Sequence, residues 1–210
     1  MKIGVIDYGM GNLFSVTQAL KKLHVEVIVS SKPEELGEAD ALILPGVGAF
    51  PDAMKRLQET GLDEFIRSEV ENNKPLLGIC LGMQLLFEES EEVAPTKGFG
   101  FFEGNVVRFS GISEKGEKYR VPHMGWNSLA FHSIPEWLKG EELPEDKFVY
   151  FVHSYYADTA SSQVVATADY FGVQVPGIVQ QCNVCGMQFH PEKSGEFGVY
   201  LLKKWLQGVK

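Results

Sequence analysis

Cysteine is scarce in this chain, with three residues among 210. A small, odd number argues against a disulfide framework and suits a compartment that keeps thiols reduced. Positive charge is also short: Lys and Arg total 19 against 28 Asp and Glu, a net charge of -9, and they form no basic run or stripe that would track a phosphate backbone. Nucleic acid is therefore not an expected partner. The opening "MKIGVIDYGMGN" holds only a brief apolar stretch before Asp7, which is not the core of a signal peptide, and no later segment approaches a membrane span. No membrane partner is expected, and the chain is assigned to the cytoplasm. Repeats, low-complexity tracts and linker-like breaks are missing as well. Residues 1–210 thus read as one domain, with 44% hydrophobic residues to fill its core.

What is present is an alternation of strand and helix. "KIGVID" reads as a buried strand, "LFSVTQALKKL" as an amphipathic helix with Leu13, Val16, Leu20 and Leu23 on one face, and "VEVIVS" as a second strand. "ADALILPG", helices around "AFPDAMKRLQET" and "LDEFIRSEVENN", the strand "PLLGIC" and a helix from "LGMQLLFEES" continue the pattern. This predicts an α/β fold, a central mostly parallel sheet flanked by helices. After Ser90 the rhythm changes to short strands joined by polar loops such as "GISEKGEKYR" and "KGEELPEDK", closed by the helix "GEFGVYLLKKWLQ". Added β-strands are therefore expected in the C-terminal half.

The segment "PLLGICLGMQLL" puts Cys80 on the turn from a strand into a helix, between Gly78 and Gly82. In a parallel sheet such a turn stands exposed at the carboxyl end of its strand, where ligands gather. Flanking glycines relieve crowding in a tight elbow, and the free N–H groups of the following helix favour thiolate over thiol. Cys80 is thus positioned as a nucleophile; on the elbow alone, a small buried hydrophobe is an equally good reading.

"MQFHPEKS" supplies a partner. Pro191 keeps His190 out of the helical region, so His190 to Glu192 is expected to be extended, with both side chains on one side. Glu192 can then hold one ring nitrogen while the other exchanges a proton with the thiol and the leaving group, the logic of a nucleophile, base and acid triad. "ILPGVGAF" sets Gly46 and Gly48 just past another strand, where their N–H groups, with that of Leu81, could meet a developing oxyanion. An ordinary strand-to-helix turn fits that segment equally well.

"GICLGMQLL" with "FHPEKS" resembles the class I (triad) glutamine amidotransferases, and "DYGMGN", "PGVGAF" and "PHMGWN" resemble the branch of that family that serves imidazole glycerol phosphate synthases in histidine biosynthesis. The likeness runs from Ile6 to the last helix. It implies that Cys80, His190 and Glu192 hydrolyse L-glutamine to glutamate and ammonia, without cofactor or metal. It further implies an oxyanion strand at Gly46, Val47 and Gly48, and glutamine contacts from Gln84, Ser154 and Tyr155. Pro122, Met124, Trp126, Tyr150 and Lys193 match positions at the interface with a (β/α)8-barrel synthase subunit, bound as a one-to-one heterodimer. That partner would use the ammonia to make imidazole glycerol phosphate and an aminoimidazole carboxamide ribonucleotide, and its nucleotide ligand would switch the glutaminase on. A rotation of the peptide between Gly46 and Val47 would give such a switch a physical basis. The chain departs from a frequent family pattern at Gly195, where a serine often follows "HPEKS".

Other features carry less. "CNVC" at 182–185 has metal-site spacing but no second pair, and reads as a hairpin turn around Asn183. Two glycines in "DYGMGN" fall short of a dinucleotide fingerprint. His24, His123, His132 and His153 show no ligand spacing and are expected to pack or face solvent, and "EESEEVAP" is expected to be a solvated helix end. A related glutaminase that feeds anthranilate or aminodeoxychorismate synthase, a silent scaffold and a free-standing cysteine hydrolase are the competing readings.

Overall fold

A computed structural model describes residues 1–209. The first half builds the parallel frame: β1 (Lys2–Ile6), α1 (Leu13–Lys22), β2 (Glu26–Ser30), α2 (Pro33–Gly37), β3 (Ala41–Gly46), α3 (Phe50–Glu59), α4 (Leu62–Glu71), β4 (Leu76–Cys80) and α5 (Leu81–Gln84). Then follow β5 (Phe87–Ser90), β6 (Thr96–Lys97), β7 (Phe102–Arg108), β8 (His123–Ser128), β9 (Ala130–Phe131), β10 (Phe148–His153) and β11 (Tyr155–Asp158). β12 (Val164–Tyr170), β13 (Val173–Gln181), β14 (Val184–Met187) and α6 (Gly195–Gly208) complete the chain. Eight strands form one sheet in the order β2-β1-β3-β4-β14-β13-β12-β9. Its first five strands run parallel and the last three are antiparallel additions. A β8–β10 ribbon and a four-stranded sheet, β11-β7-β5-β6, sit apart from it. The predicted α/β architecture and the extra C-terminal strands are both observed.

The apolar runs have a direct cause. Successive strand residues face opposite sides of the sheet, and here both sides are covered. Val5, Ile43 and Ile79 pack toward α1 and α6, with Leu20, Leu201 and Trp205. Ile6, Leu42, Leu44 and Leu76 pack toward the other layer, with Leu36, Phe50, Leu57 and Ile66. A strand buried on both faces carries no polar alternation.

Two local readings need correction. The helix expected through "LGMQLLFEES" is a single turn, Leu81–Gln84, and the chain re-enters a strand at Phe87. Phe87 pairs with Phe102 in β7, and Leu85, Leu86 and Phe87 are all fully buried, a run that one helix face cannot bury. "EESEEVAP" is likewise no solvated helix end. Glu88 accepts the Gly104 N–H at 2.9 Å, Glu91 the Arg108 N–H at 2.7 Å and Glu92 the Phe50 N–H at 2.8 Å, so three carboxylates terminate backbone donors of distant segments.

Candidate active site

β3, β4 and β14 lie side by side, and their carboxyl ends bring three sequence motifs to one edge of the sheet. Gly46 and Cys80 are register partners at that edge, while β14 leaves it toward His190. The elbow at Cys80 is tight. Cys80 itself takes φ 55°, ψ -113°, a conformation that L-residues adopt only where surrounding packing enforces it. The flanking glycines allow that packing: a Cβ on Gly82 would lie 1.8 Å from the Leu44 carbonyl oxygen, and one on Gly78 2.6 Å from the Gly82 carbonyl oxygen. Backbone touches backbone there, and any side chain would force the elbow apart.

Cys80 and His190 line the same cavity, of about 350 Å³, together with Val47, Gly48, Leu81, Gln84, Glu92, Pro122, Ser154 and Tyr155. His190 Nδ1 lies 2.9 Å from Glu192 Oε1, and the two side chains are only 3% and 1% exposed. The route to that contact differs from the expected extended chain. His190 is extended, but Pro191–Lys193 forms a 3-10 turn closed by the Lys193 N–H on the His190 carbonyl at 3.0 Å, and this turn folds Glu192 back onto the ring. Burial by itself would lower the His190 pKa. The Cys80 and Glu192 side chains outweigh it and hold the imidazole up at about 9. His190 thus holds its proton more tightly than a free imidazole does.

The predicted oxyanion donors are divided. Val47, Gly48 and Leu81 face the cavity, and Leu81 opens α5, so its N–H has no acceptor within the helix. The Val47 N–H, however, donates to the Met10 carbonyl at 3.4 Å, toward the first loop and not the cavity. Gly46 lies beneath the cavity wall, where a Cβ would fall 2.7 Å from Tyr8 Oη and 2.8 Å from Gly82 N. Tyr8 is buried and donates to the Pro45 carbonyl at 3.0 Å, pinning the strand from below.

Gln84, Ser154 and Tyr155 all line the cavity. Gln84 Nε2 donates to the Tyr155 carbonyl at 2.9 Å and to Gln188 Oε1 at 3.0 Å. Glu92 is a wall residue that reading by local pattern missed, and His153, expected near the substrate segment but only to pack or face solvent, also lines the wall. The spacing of "EESEEVAP" holds no signal for Glu92, because the carboxylate is drawn into place by the N-terminus of α3, 42 residues away. Of the proposed interface residues, Met124 and Trp126 are 63% and 57% exposed on the outer face of the β8–β10 ribbon, beside Tyr150, whose ring centroid is 6.1 Å from that of Trp126. Pro122 and Lys193 are exposed near the same rim. Gly195 takes φ +60°, a backbone conformation that favours glycine over the serine expected from the family likeness. "CNVC" is the predicted hairpin: β13 ends at Gln181 and β14 begins at Val184, with Cys182 exposed and Cys185 buried. Burial pushes the Cys185 thiol far up, which keeps it inert.

Comparison with known proteins agrees with this geometry. The model of the family described as glutamine amidotransferase class-I matches residues 4–207. The imidazole glycerol phosphate synthase subunit HisH of Shouchella clausii is 56% identical over 208 residues, covering 99% of each chain. That of Geobacillus thermodenitrificans is 55% identical over 204 residues, covering 97% of this chain and 94% of the relative. Among solved structures, PurLQS from Thermotoga maritima superposes with a TM-score of 0.74 over 100% of this chain and 99% of the other at 19% identity, which speaks to the fold. With a tight strand-to-helix elbow at Cys80, a buried His–Glu pair and full-length similarity in hand, the chain belongs to the class-I glutamine amidotransferases and, within them, to the HisH subunits of imidazole glycerol phosphate synthase.

Proposed function

We propose that residues 1–210 act as one glutaminase domain, with Cys80, His190 and Glu192 as its catalytic triad, and that the ammonia passes to a (β/α)8-barrel synthase subunit bound one to one. The observation that carries this reading is the convergence of Cys80, on its strained elbow, and the His190–Glu192 pair in one cavity. Cys80 sulfur attacks the side-chain amide carbon of glutamine. The C–N bond then breaks as His190 gives its proton to the departing nitrogen, leaving a glutamyl thioester and ammonia. Acylation removes the charge that Cys80 can place beside His190, and with it one of the influences that hold the imidazole up. The ring is then able to take a proton from water, whose oxygen attacks the thioester and releases glutamate. Glu192 keeps Nδ1 protonated throughout, so the other nitrogen does the exchange.

Binding and control follow from the same wall. Glu92 and Gln84 offer acceptors that suit the α-ammonium of an amino acid. Glu92→Gln keeps an oxygen for the Phe50 N–H and removes only the charge, so the KM for glutamine should rise about tenfold or more with kcat little changed. An unaltered KM in a steady-state assay would remove Glu92 from the binding site. The Val47 N–H, engaged by Met10, supports a resting state with an incomplete oxyanion hole, completed when the peptide between Gly46 and Val47 rotates. Gly46→Ala should therefore depress the ligand-stimulated rate by about 10²-fold or more, since its Cβ would hinder the rotation and also press on Tyr8 Oη and Gly82 N beside the elbow. If basal and stimulated rates are both unchanged in a folded variant, the rotation is wrong. Met124, Trp126, Tyr150, Pro122 and Lys193 would form the docking face for the barrel, where exposed aromatic and Met side chains are typical anchors.

The decisive experiment is glutamate release from glutamine by the chain alone, and then with the cognate barrel subunit and its nucleotide ligand. A low rate alone that rises steeply in the mixture is expected. A high rate alone would instead mark a free hydrolase, and no rate in either case a silent scaffold.

A further inference from the structure

From His153 in the cavity wall a buried polar network that the triad does not use runs inward. His123 and His153, 2% and 6% exposed, face each other across the β8–β10 ribbon with Nδ1 of His123 3.0 Å from Nε2 of His153. His153 Nδ1 lies 2.8 Å from the Tyr155 carbonyl oxygen. At the other end, Asn127 Nδ2 lies 3.3 Å from His123 Nε2 and 2.7 Å from the Asp169 carbonyl oxygen.

The partners determine every proton in this chain. A carbonyl oxygen only accepts, so His153 must carry its proton on Nδ1. Burial lowers the pKa of His153 to about 3 and that of His123 to about 4, so both rings are neutral and His153 Nε2 is a bare acceptor. His123 must then donate from Nδ1 and accept at Nε2 from Asn127, whose own Oδ1 is engaged by the Ser128 N–H at 2.8 Å. Stacking locks the ring plane: Tyr170 and Phe151 lie against His123 with centroid separations of 4.0 Å and 4.6 Å.

All donation therefore runs one way, from Asn127 to the Tyr155 carbonyl, and that carbonyl also receives Gln84 Nε2 at 2.9 Å. The second hydrogen of Gln84 Nε2 goes to Gln188 Oε1. With both hydrogens spent, the Gln84 amide can present only its oxygen to the cavity. A flipped amide would set that oxygen against the Tyr155 carbonyl, which can only accept.

We propose that His153, backed by His123, is a positioning residue for glutamine: it holds the Tyr155 carbonyl so that Gln84 offers the substrate an acceptor. This rests on the glutaminase reading above. The device acts on binding and leaves the reacting atoms alone, because neither imidazole belongs to the triad. His153→Leu removes the donor, whereas His153→Asn keeps an N–H near the place of Nδ1.

Two measurements test this, the first on the wild-type chain alone. Imidazole ¹⁵N spectra at neutral pH should show His123 and His153 both protonated at Nδ1 and bare at Nε2; an Nε2–H form of either ring overturns the proposal whatever the enzyme's substrate. The second is steady-state glutaminase kinetics of the complex with barrel subunit and nucleotide ligand. His153→Leu should raise the KM for glutamine about tenfold with kcat within about threefold, and His153→Asn should restore most of the affinity. An unchanged KM in His153→Leu, a loss confined to kcat, or no rescue by asparagine would each overturn it. An inactive wild-type complex would instead defeat the glutaminase reading, leaving the ¹⁵N result to judge the network by itself.

Discussion

Cys80→Ser should reduce glutamine hydrolysis by about 10⁴-fold or more while the proposed docking to a barrel subunit survives. The size of the loss follows from the chemistry. A serine hydroxyl in the same place is far less acidic than a thiol, and in a triad that acts as a unit, disabling the nucleophile removes nearly all of the covalent route. Binding should survive because Met124 and Trp126 are displayed on the exposed face of the β8–β10 ribbon, and serine is close in volume to cysteine. Glutamate release and size-exclusion of the mixed subunits read the two effects separately. Retained hydrolysis would rule out Cys80 as nucleophile, and loss of the complex would make it structural.

Glu192→Gln is expected to cost about 10⁴-fold in kcat with folding preserved, the scale found when the orienting carboxylate of a triad becomes an amide. Glu192 Oε1 fixes the His190 proton on Nδ1, and an amide can instead offer that nitrogen a donor, which selects the wrong tautomer. The pH dependence should move as well. His190 sits at about 9 against an ordinary 6.5, so the folded state binds its proton more tightly than the unfolded chain does. The resulting stabilisation is complete below about pH 6.5 and is lost as pH rises through about 9. In Glu192→Gln one of the two supporting side chains is gone. The alkaline limb of the ligand-stimulated rate should then shift to lower pH, and the stability gap between wild type and variant should narrow between pH 6.5 and 9. A variant with an unmoved limb and near-normal kcat would remove Glu192 from the triad.

The parallel frame was legible because its cause is local and repeated. β1, β3 and β4 are apolar on both faces, and the intervening segments carry helical periodicity. The elbow was legible too, since glycines on both sides of Cys80 mark a backbone approach that no other residue permits. The one-turn α5 was misread as a longer helix for a complementary reason. Local apolar content reports that residues 85–87 are buried, but the pairing of Phe87 with Phe102 decides in which conformation. The 3-10 turn at Pro191–Lys193 was hidden in the same way: His-Pro-Glu restricts His190, while the later backbone bonds that fold Glu192 inward depend on what packs around them.

The amino-acid sequence by itself determined the family and the layered α/β plan, and it singled out Cys80, His190 and Glu192 as the proposed triad, because these readings rest on residue types at short spacing and on periodicities of two and 3.6. Tertiary structure alone decided which carbonyl holds the Val47 N–H, which carboxylate joins the cavity wall, and which ring nitrogens of His123 and His153 face each other. Each of those is a hydrogen bond between groups distant along the chain. Its direction is set by whichever partner can only accept, and no local pattern of residues encodes that.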